Sequence, residues 1–162
     1  MKKSIELWQF GGFTFVCVLG TILHFLYDWT NVSFVSFLSS VNESTFEHMK
    51  ILFFPMLIFA VLESFFFKKE YSNYWSTKLK GILIGLILIP TLFYTLGGIF
   101  GTLSGWVNVL IFFISPAISY KRETKSFDNG VISFEKISFV IIIFNVVFIF
   151  FVSMFKYRCK NT

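Results

Sequence analysis

Gly81-Ile-Leu-Ile-Gly-Leu-Ile-Leu-Ile-Pro-Thr-Leu-Phe-Tyr-Thr-Leu-Gly-Gly98 carries no charged side chain. A hydrocarbon core of about 30 Å demands a helix of about 20 predominantly apolar residues. A chain in lipid must also satisfy every backbone group internally, which a helix does and an open strand does not. The run lacks the period-two alternation of a half-buried strand. It therefore reads as a membrane-spanning helix. Outward from it lie four more runs of similar length, near Leu7–Tyr27, Phe46–Phe67, Leu103–Tyr120 and Ile137–Phe155. The expectation is an all-α integral membrane bundle of about five transmembrane helices, a single domain over residues 1–162.

Composition agrees. Of 162 residues, 56% are apolar and 14% charged, and 25 are Phe. An ordinary soluble domain is about a quarter charged, and a small aqueous core has no room for so many phenylalanines. The formal net charge is +5. Nucleic acid is not the implied partner, because the basic residues sit between apolar spans; the bilayer is. Cys17 and Cys159 form no CxxC or CxxH pair, which excludes a disulfide framework or a zinc finger. Lys2 and Lys3 before an apolar run resemble a signal peptide. The run to Tyr27 is long enough to span, and no small-x-small cleavage site follows it, so it counts as the first span.

Positive charge orients the chain. With the amino terminus in the cytoplasm, inside segments hold Lys2, Lys3, Lys68, Lys69, Lys78, Lys80, Lys121, Arg122, Lys125 and Lys136. Outside segments hold only Lys50, Lys156, Arg158 and Lys160. The excess predicts N-in. Trp8, Trp75, Trp29 and Trp106 fall near span ends, where amphipathic rings prefer to sit. Phe, Ile and Lys usage suggests an AT-rich bacterial genome, hence a multi-pass protein of a bacterial cytoplasmic membrane. In the first outer loop, Val32–Leu38 is too apolar for a solvated loop and too short to span. It is expected to lie on the membrane or to plug the bundle. The segments Lys68–Lys80 and Lys121–Lys136 read as solvated loops. Gly97, Gly101 and Gly105 recur every four residues, as do Gly81 and Gly85, a spacing that suits close helix packing or a tight turn.

The polar residues of interest gather at one depth. His24 and Asp28 are four apart, on one helical face. The second span is entered through Asn42, Glu43, Ser44, Glu47 and His48. Antiparallel spans one and two would bring these groups together at the outer surface. Such a group suits a divalent metal held by His24, Asp28, Glu47 and His48, or proton relay. The structural alternative is equally direct. Ser44-x-x-Glu47 is a capping box, and Glu43 and Glu47 suit the positive end of a helix dipole. Glu63, within span two, either snorkels to Lys68 and Lys69 or forms the inner station of a path. Asn108 and Asn145 add hydrogen-bonding groups within spans.

The run His24-x-x-Tyr27-Asp28, then Ser40-Val41-Asn42-Glu43-Ser44-x-x-Glu47-His48-x-Lys50 and Phe53-Phe54-Pro55, resembles a family of small polytopic membrane proteins of Gram-positive bacteria, catalogued as a domain of unknown function. The resemblance covers roughly residues 20–66 and implies a multi-span membrane protein without implying an activity. Three functions fit the residues. The first is a small transporter or channel-like component for a proton, cation or small solute. The second is a membrane-embedded metal-dependent enzyme with an outer-leaflet site. The third is a non-catalytic accessory or regulatory subunit, with the polar cluster holding spans one and two together; for any of the three, the expected partners are the lipid bilayer and either further copies of the chain or a membrane partner subunit. The first ranks ahead, and it needs no cofactor.

Overall fold

A computed structural model of the protein describes residues 2–129. Four long helices follow one another: α1 (Lys2–Thr30), α2 (Thr45–Phe67), α3 (Tyr74–Phe100) and α4 (Gly105–Asn129). A single 3-10 turn at Val35–Phe37 lies between α1 and α2. Neighbours in sequence pack side by side, and α1 closes the ring against α4. Helices α2 and α4 meet across the middle, whereas α1 and α3 face each other without backbone contact. The result is an up-down-up-down bundle. Helices α1, α2 and α3 are long and apolar enough to cross a membrane. Helix α4 is apolar over its first four turns and charged beyond them. The expected fifth span, 137–155, lies outside the described residues, as does Asn145.

Periodicity explains which face of α1 turns inward. Ile5, Gln9, Gly12, Val16, Gly20, Leu23 and Tyr27 are buried, a 3-4 spacing that lines one helical face. The intervening Leu7, Phe10, Val18 and Ile22 are exposed. Large exposed apolar side chains recur on every helix, from Phe65 and Phe66 to Ile87 and Ile99. A surface of that kind matches lipid rather than water.

Three helices are longer than the apolar runs alone predicted, α1 by about one turn at each end. Helix α3 begins at Tyr74 instead of Gly81, and α4 continues to Asn129 instead of stopping at Tyr120. The supposed solvated loops thus contribute about two helical turns or slightly more each. Lys78 and Glu123 are buried inside those turns. Charge marked them as loop residues, but helical phase carries both inward.

The apolar loop segment plugs the bundle. Ser36, Ser39, Ser40 and Val41 are buried, while Phe34 stays exposed. The Ser39 hydroxyl accepts from the Tyr27 amide at 2.9 Å and donates to the Leu23 carbonyl at 2.5 Å. It thereby inserts between two groups that close one turn of α1, a recognised cause of local helix opening. The Ser40 amide also reaches the Leu23 carbonyl, at 3.2 Å. Phe37 packs on Phe54, ring centres 5.4 Å apart.

Glycine packing falls elsewhere than the Gly97/Gly101/Gly105 spacing suggested. A Cβ at Gly97, Gly98 or Gly105 would meet nothing within 4 Å among the described residues. Gly101 instead makes the tight turn after α3, at φ 78, where a Cβ would be strained. The close approaches are at Gly12 and Gly20 of α1 and Gly81 and Gly85 of α3. A Cβ on Gly12 would lie 2.6 Å from Phe59 and 2.8 Å from Tyr120. Gly12→Val should therefore lose about 1–3 kcal/mol of stability through overpacking. Gly97→Ala should leave stability level or raise it by up to about 1 kcal/mol. Thermal unfolding of the two variants in detergent checks the contrast, and equal losses would refute this packing map.

Candidate functional site

Two polar centres occupy opposite ends of the bundle. At the end that carries the amino terminus, each helix supplies one buried polar side chain: Gln9 from α1, Glu63 from α2, Lys78 from α3 and Glu123 from α4. Lys78 is 2% exposed, Glu63 0% and Glu123 1%. The Lys78 ammonium is ion-paired with Glu63 and lies 2.7 Å from Glu123 Oε2. It also donates to Gln9 Oε1 at 3.3 Å. The Gln9 amide donates in turn to Glu63 Oε1 at 3.0 Å. The Tyr74 hydroxyl lies 2.6 Å from the Ala60 carbonyl and 3.1 Å from Glu63 Oε2. Its single proton serves one of them at a time.

Aromatic rings enclose this group. Lys78 Nζ lies 5.9 Å from the Phe59 ring centre, 6.0 Å from Tyr74, 5.2 Å from Tyr120 and 5.7 Å from Phe127. Ring faces attract an ammonium at such distances, more strongly where water is excluded. Gly81 makes room for the trio of Lys78, Glu63 and Glu123: a Cβ there would overlap the Glu123 carboxylate. Fully ionised, one ammonium against two carboxylates leaves one uncompensated negative charge. Holding that charge away from water is costly, and one added proton cancels it. Glu123 Oε1 is buried and has no hydrogen-bond partner among the described residues.

At the opposite end, the motif residues divide into two groups. Glu47 and Lys50, both buried, form an ion pair at 2.6 Å. Glu47 accepts from the Val41 amide at 3.1 Å, and Lys50 donates to the Ser36 carbonyl at 2.8 Å. This pair pins the plug to α2. The capping role expected of Ser44 takes another form. Its side chain makes no cap hydrogen bond; its carbonyl accepts from the Glu47 and His48 amides, and its amide donates to Asn42 Oδ1 at 3.0 Å.

The second group is His24, Glu43 and His48. His24 Nε2 lies 3.3 Å from Glu43 Oε1, and His48 Nε2 lies 3.7 Å from Glu43 Oε2. The two imidazole centres are 5.4 Å apart. His48 Nδ1 sits 3.0 Å from the Ser44 carbonyl. A carbonyl only accepts, so Nδ1 carries the hydrogen and Nε2 faces Glu43. All three residues line a cavity of about 260 Å³ between α1, α2 and α4, together with Asn108. Asn108 Oδ1 is buried without a partner among the described residues.

Of the six residues grouped from sequence, His24, Glu43 and His48 thus meet. Asp28 is exposed near the end of α1, Asn42 is exposed in the loop, and Glu47 is engaged by Lys50. Among the described residues no three His, Cys, Asp or Glu side chains are arranged to hold a metal ion. Glu63 does not snorkel to Lys68 or Lys69, which are exposed; it turns inward to Lys78. Gln9, Lys78 and Glu123 are the residues that sequence reasoning missed. A signal existed. Extending the phase of Ile89, Gly85 and Ile82 backwards puts Lys78 and Tyr74 on the same face, and extending Asn108, Phe112, Ser115 and Ser119 forwards reaches Glu123.

The fold and its two polar centres define an all-helical membrane protein with buried charge inside its bundle. Over residues 1–158 the chain matches the family of unknown function DUF6512, and it belongs to that family. No curated protein and no solved structure matches it.

The trio predicts an order of substitutions. Lys78→Met leaves two buried carboxylates unbalanced and should lose about 3–5 kcal/mol. Glu123→Gln keeps an acceptor for Lys78 and removes the excess charge, so it should cost less than about 1 kcal/mol. Glu63→Gln should fall between, because its amide must face one of the donors Gln9, Tyr74 or Lys78. Chemical unfolding in detergent would reveal the order, and Glu123→Gln proving the most damaging would overturn this charge balance.

Proposed function

We propose that the chain is a transporter-like component that passes a proton or small cation through the bundle of a bacterial cytoplasmic membrane. The observation that carries this reading is the inward face of α4. Asn108, Ser115, Ser119 and Glu123 follow one another at intervals of one or two turns along it. Ser115, Ser119 and Glu123 are buried. The stripe begins at the His24/Glu43/His48 cavity and ends at the Lys78 trio. The two centres are separated by about 22 Å, the helical rise from Gln9 to His24. Buried ionisable groups within a membrane bundle are costly and commonly mark ion pathways.

Prolines support the same route. Pro55 in α2 and Pro116 in α4 lack the amide that would bond the carbonyl one turn earlier, here Ile51 and Phe112. Both Ile51 and Phe112 line the cavity. The serine hydroxyls currently bond back to their own helix, Ser115 to Ile111 at 2.8 Å and Ser119 to Ser115 at 2.9 Å. Rotating a hydroxyl away from its carbonyl would offer it to a passing proton or cation. With the amino terminus inside, as the basic residues indicate, the cavity opens outward and the trio serves as the inner station.

Purified protein in liposomes with a trapped pH-sensitive dye tests this. The wild type should collapse an imposed proton or potassium gradient. Glu123→Gln and Ser119→Leu should each slow the collapse at least about tenfold while remaining folded. Flux no faster than in empty liposomes, or unchanged in both variants, would remove the transport reading and favour an accessory role.

A further inference from the structure

We infer that the cavity at the loop end is a binding site for a small organic ammonium ion with an apolar body. Several of the polar atoms around it are acceptors. Asn108 Oδ1 is buried and lacks a donor among the described residues. The Glu43 carboxylate stands over the cavity and keeps lone pairs beyond any that the His24 imidazole occupies. The Ile51 carbonyl lacks its usual donor because Pro55 has no N–H. It points toward α1 at Gly20, where a Cβ would lie 3.1 Å away. In the neutral ring His48 Nε2 is also an acceptor, because Nδ1 is committed to Ser44. No lysine or arginine lines the cavity among the described residues.

The Glu43 carboxylate faces two imidazoles and no lysine or arginine among the described residues, and a carboxylate so placed favours a cation that can donate to it. Phe25, Phe112 and Phe113 supply aromatic walls, which favour an organic cation over a hydrated metal ion. The volume of about 260 Å³ sits near the lower bound of drug-sized sites, so the ligand is small. This assignment rests on the cation reading above and names the cation. Equilibrium binding and flux are separate measurements, however, so either can fail alone.

Calorimetric titration of the detergent-purified full chain tests it, with phenethylammonium as probe and phenethyl alcohol and phenylpropionate as shape-matched controls. Phenethylammonium should bind at least about tenfold tighter than either control, and Glu43→Gln should weaken it about tenfold through loss of a charge-assisted contact. Asn108→Leu should weaken it as well, independently of charge. Glu43 is exposed, so its variant is expected to fold; an unchanged melting temperature confirms this. Alcohol binding as tight as ammonium would reduce the site to an apolar hole and overturn the inference. So would no binding of any probe, affinity unchanged in Glu43→Gln, or zinc displacing the probe in the wild type and not in His24→Ala.

Discussion

The lysine held between two glutamates organises this bundle. Lys78 of α3 draws Glu63 of α2, Glu123 of α4 and Gln9 of α1 onto one ammonium, so that each helix is tied to the others through a single charge. It also joins α1 to α3, whose backbones do not touch. In an apolar surround, helices gain little from apolar contact alone, because lipid tails are equally apolar. Directional polar contacts and close backbone approach then carry more of the specificity. Gly12, Gly81 and Gly85 supply the approach, and the trio supplies the register.

Charge balance within the trio ties the architecture to the proposed function. Stability alone would be served by one lysine and one glutamate, or by none, since buried ion pairs are weak evidence for net stabilisation. The second glutamate makes the centre one proton short of neutral. A centre of that kind can gain or lose a proton with small rearrangement, provided a route reaches it. The buried stripe of Ser115, Ser119 and Glu123 runs along α4 between this centre and the His24/Glu43/His48 cavity, and it is the route that the proposed function requires.

The opposite end shows how one short motif divides its work. Glu47 and Lys50 look inward and fasten the plug through Val41 and Ser36. Glu43 and His48, from the same stretch of sequence, face the cavity with His24. The division follows from helical phase. Residues 47 and 50 are three apart and share a face, while residue 43 precedes the helix and is free to turn across to α1.

Length and apolarity of the runs were enough to establish an all-helical membrane bundle, because only helices of that length satisfy a backbone in lipid. Proximity of His24 to His48 also followed, since consecutive antiparallel helices share an end. Helical phase in the sequence carries Lys78 and Glu123 onto the inward faces of their helices, but it does not say what they meet there. Both lie just past the apolar runs, where a charge ordinarily marks the edge of a span, and only the packing of four helices shows that they meet each other. Whether Glu47 faces Lys50 or His24, and whether Gly97 or Gly12 makes a helix contact, were likewise decided by tertiary structure. Each depends on which neighbour occupies the space opposite, and that information resides in no single segment of the chain.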